Sequence, residues 1–227
     1  MRQLTIWGKA LRLRFFSASL LPLFLGTVIS GGGDGIISSG AWLLVLGVVL
    51  SAHGASNLLN DLYDDLYGTD RINQHYSPFN GGSRVLQEEL ISRSAMKRAI
   101  RLCYAVGTIC LLLLSKLGGG WGVLLLGLAG FGCGYFYSVP PFRLAGTACG
   151  ELLVGLAFGP LLVLGTTTGL TGVFSKEAVL VSLPVGALIA AVILINEFPV
   201  KINLLFVCLY LFSFQSAPSL PYFFKKG

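Results

Sequence analysis

The sequence predicts an all-α protein, a polytopic transmembrane helical bundle with about six or seven spans. Of its 227 residues, 54% are hydrophobic and only 11% are charged, and the mean hydropathy is +0.78. A soluble domain carries about 25% charged residues. Apolar runs of about 20 residues, long enough to cross a bilayer core of about 30 Å, recur along the chain and exclude a single soluble domain.

The spans can be placed in order from the amino terminus. The first fourteen residues are basic and amphipathic, which is typical of an interfacial segment leading into the first span. Small residues such as Gly127, Gly130 and Gly134 would let later helices approach closely. We predict spans at residues 15–32, 40–60, 99–116, 119–138, 147–167 and 178–196, with 202–215 as the candidate seventh.

The basic residues predict the topology. With the amino terminus in the cytoplasm, twelve of the sixteen Lys and Arg residues fall on the cytoplasmic side, as the positive-inside rule requires. The long 61–98 loop and the 138–146 loop are then cytoplasmic. We expect a multi-pass protein of the plasma membrane, with the lipid bilayer and not nucleic acid as its partner. The sequence leaves the oligomeric state open.

Four of the five Asp residues fall in one stretch, from Asp61 to Asp70, which begins inside an apolar span. Asn57, Asp61 and Asp64 share one helical face, because residues three and four apart are neighbours. Ionisable residues within a span indicate function, and hard oxygen ligands suit Mg²⁺ held together with substrate phosphate. A solvated acidic helix end and a cation-transport site are the alternatives, although a transporter would be expected to show an internal repeat.

The loop after this stretch supplies candidate anion donors. It carries Arg71 and then Asn80-Gly-Gly-Ser83-Arg84. Backbone N–H groups of a Gly-Gly turn and an Arg fork suit phosphate oxygens; an ordinary turn is the alternative explanation. Within the span, we expect His53 to hydrogen-bond a neighbouring helix rather than to line a cavity.

Four stretches in this order resemble the UbiA superfamily of intramembrane prenyltransferases. The resemblance covers residues 10–199 and is greatest to the branch that prenylates 1,4-dihydroxy-2-naphthoate for menaquinone biosynthesis. The first stretch resembles the first Asp-rich motif of that superfamily. The four stretches are Asn57-x-x-Asn60-Asp61-x-x-Asp64-x-x-x-x-x-Asp70, Ser77-Pro-Phe-Asn-Gly-Gly-Ser-Arg84-Val-Leu, Tyr137-Ser-Val-Pro-Pro-Phe-Arg143-Leu, and Gly150-Glu151-Leu-Leu-Val-Gly-Leu-Ala-Phe-Gly159-Pro160.

The resemblance implies a transferase that uses Mg²⁺ to move a polyprenyl group from polyprenyl diphosphate to an aromatic quinone precursor, with 1,4-dihydroxy-2-naphthoate as the expected acceptor. It implies a helical bundle around a central cavity, with Tyr63, Tyr67 and Tyr137 able to face an allylic cation. The implied catalytic residues are Asp61, Asp64, Arg84 and Arg143. The implied metal ligands are Asp61, Asp64, Asn57 and Asp70, and the implied substrate-binding residues are Asn57, Asn60, Asp70, Arg71, Ser83, Tyr137, Glu151, Asn196 and Glu197.

The resemblance ends before the second Asp-rich motif of the family. Asn196-Glu197-Phe-Pro199 matches its opening, but Val200-Lys201 follows, and no Asp occurs after Asp70. The family fold has nine spans. We therefore expect an incomplete UbiA-like domain at 1–199 and an aberrant apolar tail at 200–227, from a truncation or a frame shift. The alternative function is an impaired remnant that only inserts in the membrane or binds prenyl diphosphate.

Overall fold

All regular structure in the described residues is helical, which confirms the predicted fold class. The computed structural model describes residues 2–31, 37–68, 82–145 and 147–215, with side chains as far as Ile195. The helices are α1 Arg2–Ala10, α2 Ser17–Gly31, α3 Ser39–Tyr67, α4 Arg93–Leu114, α5 Gly120–Ser138, α6 Ala148–Leu156, α7 Leu162–Thr171 and α8 Lys176–Gln215. A 3₁₀ turn, Leu13–Phe16, precedes α2, and π-helical turns join α4 to α5 (Ser115–Gly119) and α6 to α7 (Ala157–Leu161).

The surface of the helices is apolar, as a lipid-embedded bundle requires. Within the described residues, five helical stretches are long and apolar enough to cross a membrane. Large side chains such as Leu21, Val28, Leu102, Ile109 and Leu188 are each more than half exposed. An apolar surface of this extent is covered by lipid or by other apolar groups rather than by water. The protein is therefore a multi-pass membrane protein.

The longest of the five stretches contains both α4 and α5 and folds back on itself at Gly118, where φ is 129°. A Cβ atom on Gly107 would lie 2.6 Å from Phe131, and one on Gly127 would lie 2.5 Å from Leu111. These pairings run in opposite directions along the chain, so α4 and α5 form an antiparallel hairpin. The close approach depends on small residues, as the sequence predicts for Gly127.

The helices before and after the predicted 61–98 loop extend into it, to Tyr67 and from Arg93, and the predicted break between the last two spans is wrong. The sequence predicts spans at 178–196 and 202–215, but α8 is one continuous helix of 40 residues. At 1.5 Å per residue it is roughly 60 Å long, about twice the thickness of a bilayer core. Pro199 and Lys201, which fall between the two predicted spans, lie within it.

α8 packs against α6 and the π-helical turn that follows α6 through facing glycines. A Cβ atom on Gly186 would lie 2.6 Å from the carbonyl oxygen of Gly155. A Cβ atom on Gly159 would lie 2.6 Å from the Cα atom of Gly186. The two backbones are therefore in direct contact, an arrangement that small residues permit in membrane helices.

α1 is part of the folded bundle as well as the lead into α2. Ala10 is fully buried, and Ile6, Trp7 and Leu11 pack against an apolar cluster that includes residues of the carboxyl-terminal half of α3. This apolar cluster also brings α1 against the segment between α3 and α4. Its buried members are Ala10, Leu58, Leu59, Leu62, Val85, Leu86, Ile91, Met96, Ile100 and Val139.

Candidate active site

The acidic face lies in the last turns of α3, which end at Gly68. Gly68 has φ 73°, and its N–H donates to the carbonyl oxygens of Asp64 and Asp65. Glycine adopts this left-handed helix cap without steric cost. Because α3 is unbroken from Ser39 to Tyr67, the side chains of Asn57, Asp61 and Asp64 lie on one face, as the spacing predicts.

Asp61 is a buried carboxylate with protein donors on both of its oxygens. Its residue is 3% exposed. Oδ1 accepts a hydrogen bond from Arg12 Nη2 at 2.5 Å and another from Ser83 N–H at 3.3 Å, while Oδ2 accepts from the Ser83 hydroxyl. Donors on both oxygens offset the cost of burying the charge. The structure thus brings Ser83, a predicted substrate-binding residue, directly to the aspartate.

Arg12 is a site residue that sequence reasoning missed. It has φ 55° and follows α1 immediately before the 3₁₀ turn. Its Nη2 also donates to Asn60 Oδ1 at 3.0 Å, and the carbonyl oxygen of Leu11 accepts from Asn57 Nδ2 at 2.8 Å. The available signal was Asp61 itself, because a carboxylate buried in a membrane span needs a nearby cation.

Two further ion pairs frame Asp61, and neither was predicted. Asp65 Oδ2 is 2.6 Å from Arg93 Nε, which joins α3 to the first residue of α4. Lys9 Nζ is 3.1 Å from Glu88 Oε2, which joins α1 to the segment before α4. The elements around Asp61 are therefore held together by charges as well as by the apolar cluster.

The two arginines predicted to bind pyrophosphate both have left-handed backbone, with φ 56° at Arg84 and 38° at Arg143. Such values are uncommon outside glycine. The guanidinium carbon of Arg143 lies 3.8 Å from the centroid of the Tyr67 ring, a distance typical of cation–π attraction. Tyr67, which the resemblance allows to face an allylic cation, contacts Arg143 in this structure.

Tyr137 and Glu151 lie at the junction of α5 and α6. The Tyr137 carbonyl oxygen accepts a hydrogen bond from Ala145 N–H at 2.8 Å, and its ring packs against Gly150. Glu151 is 7% exposed and lies in the first turn of α6, where the helix dipole favours a negative charge. The structure therefore places both residues beside the loop that carries Arg143.

An apolar cavity of about 120 Å³ lies among α2, α3, α4, α5 and α7. His53 lines it, and so does Ser19 of α2, whose Oγ is 2.5 Å from His53 Nδ1. His53 therefore hydrogen-bonds a neighbouring helix, as the sequence predicts, but it also lines the cavity. Its ring stacks on Phe16 at 4.5 Å and meets Phe158 edge-on at 5.2 Å. His53 precedes Asp61 by roughly 12 Å along α3.

Four predicted site positions lie outside the described residues: Asp70, Arg71 and the side chains of Asn196 and Glu197. Within the described part of the chain, no three His, Cys, Asp or Glu side chains are grouped closely enough to hold a metal by themselves. Mg²⁺ commonly takes only one or two protein carboxylates and completes its shell with phosphate oxygens and water. Asp61 and Asp64 fit that shared arrangement.

Comparison with known proteins agrees with this architecture. The UbiA prenyltransferase family model matches residues 19–201. The chain is 29% identical over 188 residues to 1,4-dihydroxy-2-naphthoate octaprenyltransferase of Bacillus subtilis, covering 80% of this chain and 56% of that protein. It is 27% identical over 194 residues to 2-carboxy-1,4-naphthoquinone phytyltransferase of Synechocystis, covering 85% of this chain and 60% of that protein.

A solved structure has the same fold. The structure of a UbiA homologue from Archaeoglobus fulgidus bound to GPP and Mg²⁺ superposes with a TM-score of 0.63 at 20% sequence identity. The match covers 82% of this chain and 60% of the archaeal chain. Because the family model matches most of the sequence and the helical bundle is shared, the chain belongs to the UbiA prenyltransferase family.

Proposed function

We propose that the protein transfers a polyprenyl group from polyprenyl diphosphate to an aromatic quinone precursor, 1,4-dihydroxy-2-naphthoate, at the cytoplasmic face of the plasma membrane. The observation that carries this is a buried carboxylate at Asp61, held in a cluster of polar and charged groups, with an apolar cavity beside the same helix. One end of such a site suits a charged diphosphate and the other an isoprenoid tail. Two relatives are named for prenyl transfer to a naphthoate and to a naphthoquinone, which supports 1,4-dihydroxy-2-naphthoate as the acceptor.

Asp61 and Asp64 would hold Mg²⁺, together with Asn57 and Asp70. When bound there, the metal neutralises the diphosphate as the allylic C–O bond breaks. Ser83, whose hydroxyl donates to Asp61, would turn that hydroxyl to the same diphosphate, and Arg71, Arg84 and Arg143 would supply positive charge. The archaeal homologue solved with GPP and Mg²⁺ supports this use of the fold.

The remaining predicted residues would bind the aromatic acceptor or complete the wall of the site. The Tyr137 ring packs against Gly150, the residue before Glu151 at the start of α6, and a buried carboxylate there can accept a hydrogen bond from a phenolic hydroxyl. Asn60 would help to orient the aspartate face. Asn196 and Glu197 would approach from α8, opposite the aspartates.

The cavity gives the first testable prediction. Gly165 lines it, and apart from its chain neighbours and the backbone of its own helix no heavy atom of the described residues lies within 4 Å of the position of its Cβ atom. A Gly165→Leu variant places an isobutyl group inside a cavity of about 120 Å³. We expect the KM for polyprenyl diphosphate to rise about tenfold, equivalent to about 1.4 kcal/mol of lost binding.

Gly132→Leu is the matched control, since Gly132 is also helical and has open space at its Cβ but does not line the cavity. Steady-state kinetics with a series of prenyl chain lengths would compare the two variants. An unchanged KM in Gly165→Leu would show that the tail binds elsewhere.

The proposed reaction is tested with membranes that contain the 227-residue chain, supplied with polyprenyl diphosphate and Mg²⁺. 1,4-Dihydroxy-2-naphthoate and 4-hydroxybenzoate would be offered in parallel. We expect Mg²⁺-dependent prenylation of the naphthoate, at a rate at least about tenfold above that of the benzoate. Product from the benzoate alone would overturn the acceptor assignment.

A second candidate function is binding of prenyl diphosphate without transfer. It is favoured by one observation, the lack of any Asp after Asp70, so that no second Asp-rich motif is present in the sequence. An inserted, intact chain that binds prenyl diphosphate with Mg²⁺ but yields no product from either acceptor would establish it. Both candidate functions, transfer and binding alone, use the same membrane spans and the same first Asp-rich motif.

A further inference from the structure

The aspartate site already contains a cation from the chain itself. Arg12 Nη2 is 2.5 Å from Asp61 Oδ1, and the side chains are 22% and 4% exposed, respectively. Like charges repel strongly where little water screens them. A divalent cation bound to Asp61 and the Arg12 guanidinium therefore compete for the same carboxylate.

The position of Arg12 is tied to the position of α1. The residue before it, Leu11, accepts a hydrogen bond from Asn57 through its backbone carbonyl. Trp7 of α1 packs on the apolar cluster around α3. Leu11 and Trp7 lie within five residues of Arg12, so the ion pair with Asp61 and the hydrogen bond to Asn60 are two of the contacts that attach the end of α1 to α3.

We propose that Arg12 is the counter-ion of Asp61 in the metal-free protein, and that binding of Mg²⁺ with diphosphate displaces it and loosens α1 from α3. The inference rests on the proposed function, because it takes Asp61 as the place where Mg²⁺ and diphosphate bind. Binding of Mg²⁺ and diphosphate at Asp61 and movement of α1 then occur together. Binding at the aspartates should therefore change the fluorescence of Trp7, which lies in α1.

Trp7 is the natural reporter for this event. The chain has three Trp residues, so Trp42→Phe and Trp121→Phe leave Trp7 as the only indole fluorophore. The full chain in lipid nanodiscs would be titrated with Mg²⁺ and inorganic pyrophosphate, with binding measured by calorimetry and Trp7 emission recorded in parallel. We expect a red shift of Trp7 emission that saturates together with the binding heat, because the indole leaves an apolar cluster.

Three variants separate this exchange from a purely structural role. Arg12→Gln retains an amide donor for Asn60 and Asp61 but removes the competing charge, so we expect Mg²⁺ and pyrophosphate to bind about tenfold more tightly. Arg12→Lys retains the charge and should keep near-parental affinity and the emission shift. Arg14→Gln, an exposed neighbour two residues along the chain, should behave as the parent does.

Either of two results would overturn the exchange and leave the proposed function standing: binding with no change in Trp7 emission, or binding to Arg12→Gln that is equal to or weaker than that of the parent. If neither the parent nor Arg12→Gln binds Mg²⁺ and pyrophosphate, both the exchange and the proposed function fail. Tighter binding to Arg12→Gln, together with an emission shift when the parent protein binds, supports the exchange.

Discussion

Replacing Asp61 by asparagine is expected to lower kcat/KM for prenyl transfer at least about a hundredfold. Asparagine keeps one side-chain oxygen that can accept from Ser83 or Arg12, so much of the local hydrogen bonding survives. It removes the negative charge on which Mg²⁺ binding depends. The loss should therefore appear in catalysis and in Mg²⁺ affinity, with folded protein still produced.

Asp65→Asn is the matched control for this prediction. Asp65 is one turn further along α3, is 5% exposed against 3% for Asp61, and also forms an ion pair, with Arg93. It is not part of the predicted metal face. We expect activity per folded molecule within about threefold of the parent, since its charge supports packing and not the substrate.

Product formation, folded yield and Mg²⁺ dependence would be measured for both variants in the same membranes. Equal losses in Asp61→Asn and Asp65→Asn would mean that general destabilisation explains the effect. Parental activity in Asp61→Asn would remove this carboxylate from the proposed reaction altogether.

Most of the helical bundle could be predicted because the bilayer imposes a local rule. A segment of about 20 apolar residues has to be helical when no water can satisfy its backbone, so composition alone places α2 to α7. The acidic face of α3 follows from spacing in the same way. These inferences need no knowledge of which helices are neighbours.

Two of the missed features depend on which segments meet. The contact of Arg12 with Asp61 joins residues far apart in sequence and requires the left-handed turn at Arg12. The amphipathic pattern of α1 predicts a helix at the membrane interface, because the sequence does not show whether its apolar face contacts lipid or protein. The continuity of α8 through Pro199 was missed because charge and proline usually mark a helix end in sequence.

The second large effect is expected at the contact between α6 and α8. Gly186→Leu adds a side chain where even a Cβ atom would lie 2.6 Å from the carbonyl oxygen of Gly155. The obstacle is backbone, so no rotamer change relieves it, and the two helices have to separate. We expect a loss of stability of about 3 kcal/mol or more, read as a lower unfolding temperature in detergent and a reduced folded yield.

Gly132→Leu is the control. It adds the same side chain at a position whose Cβ atom would have no described atom within 4 Å, apart from its chain neighbours and its own helix backbone, and should leave the unfolding temperature unchanged.

Separation of α6 from α8 should also impair substrate binding in any Gly186→Leu protein that inserts. The reason is that α6 carries Glu151 and the π-helical turn after it contributes Phe158 to the cavity wall. A Gly186→Leu protein as stable as Gly132→Leu would mean that α6 and α8 do not meet at these glycines.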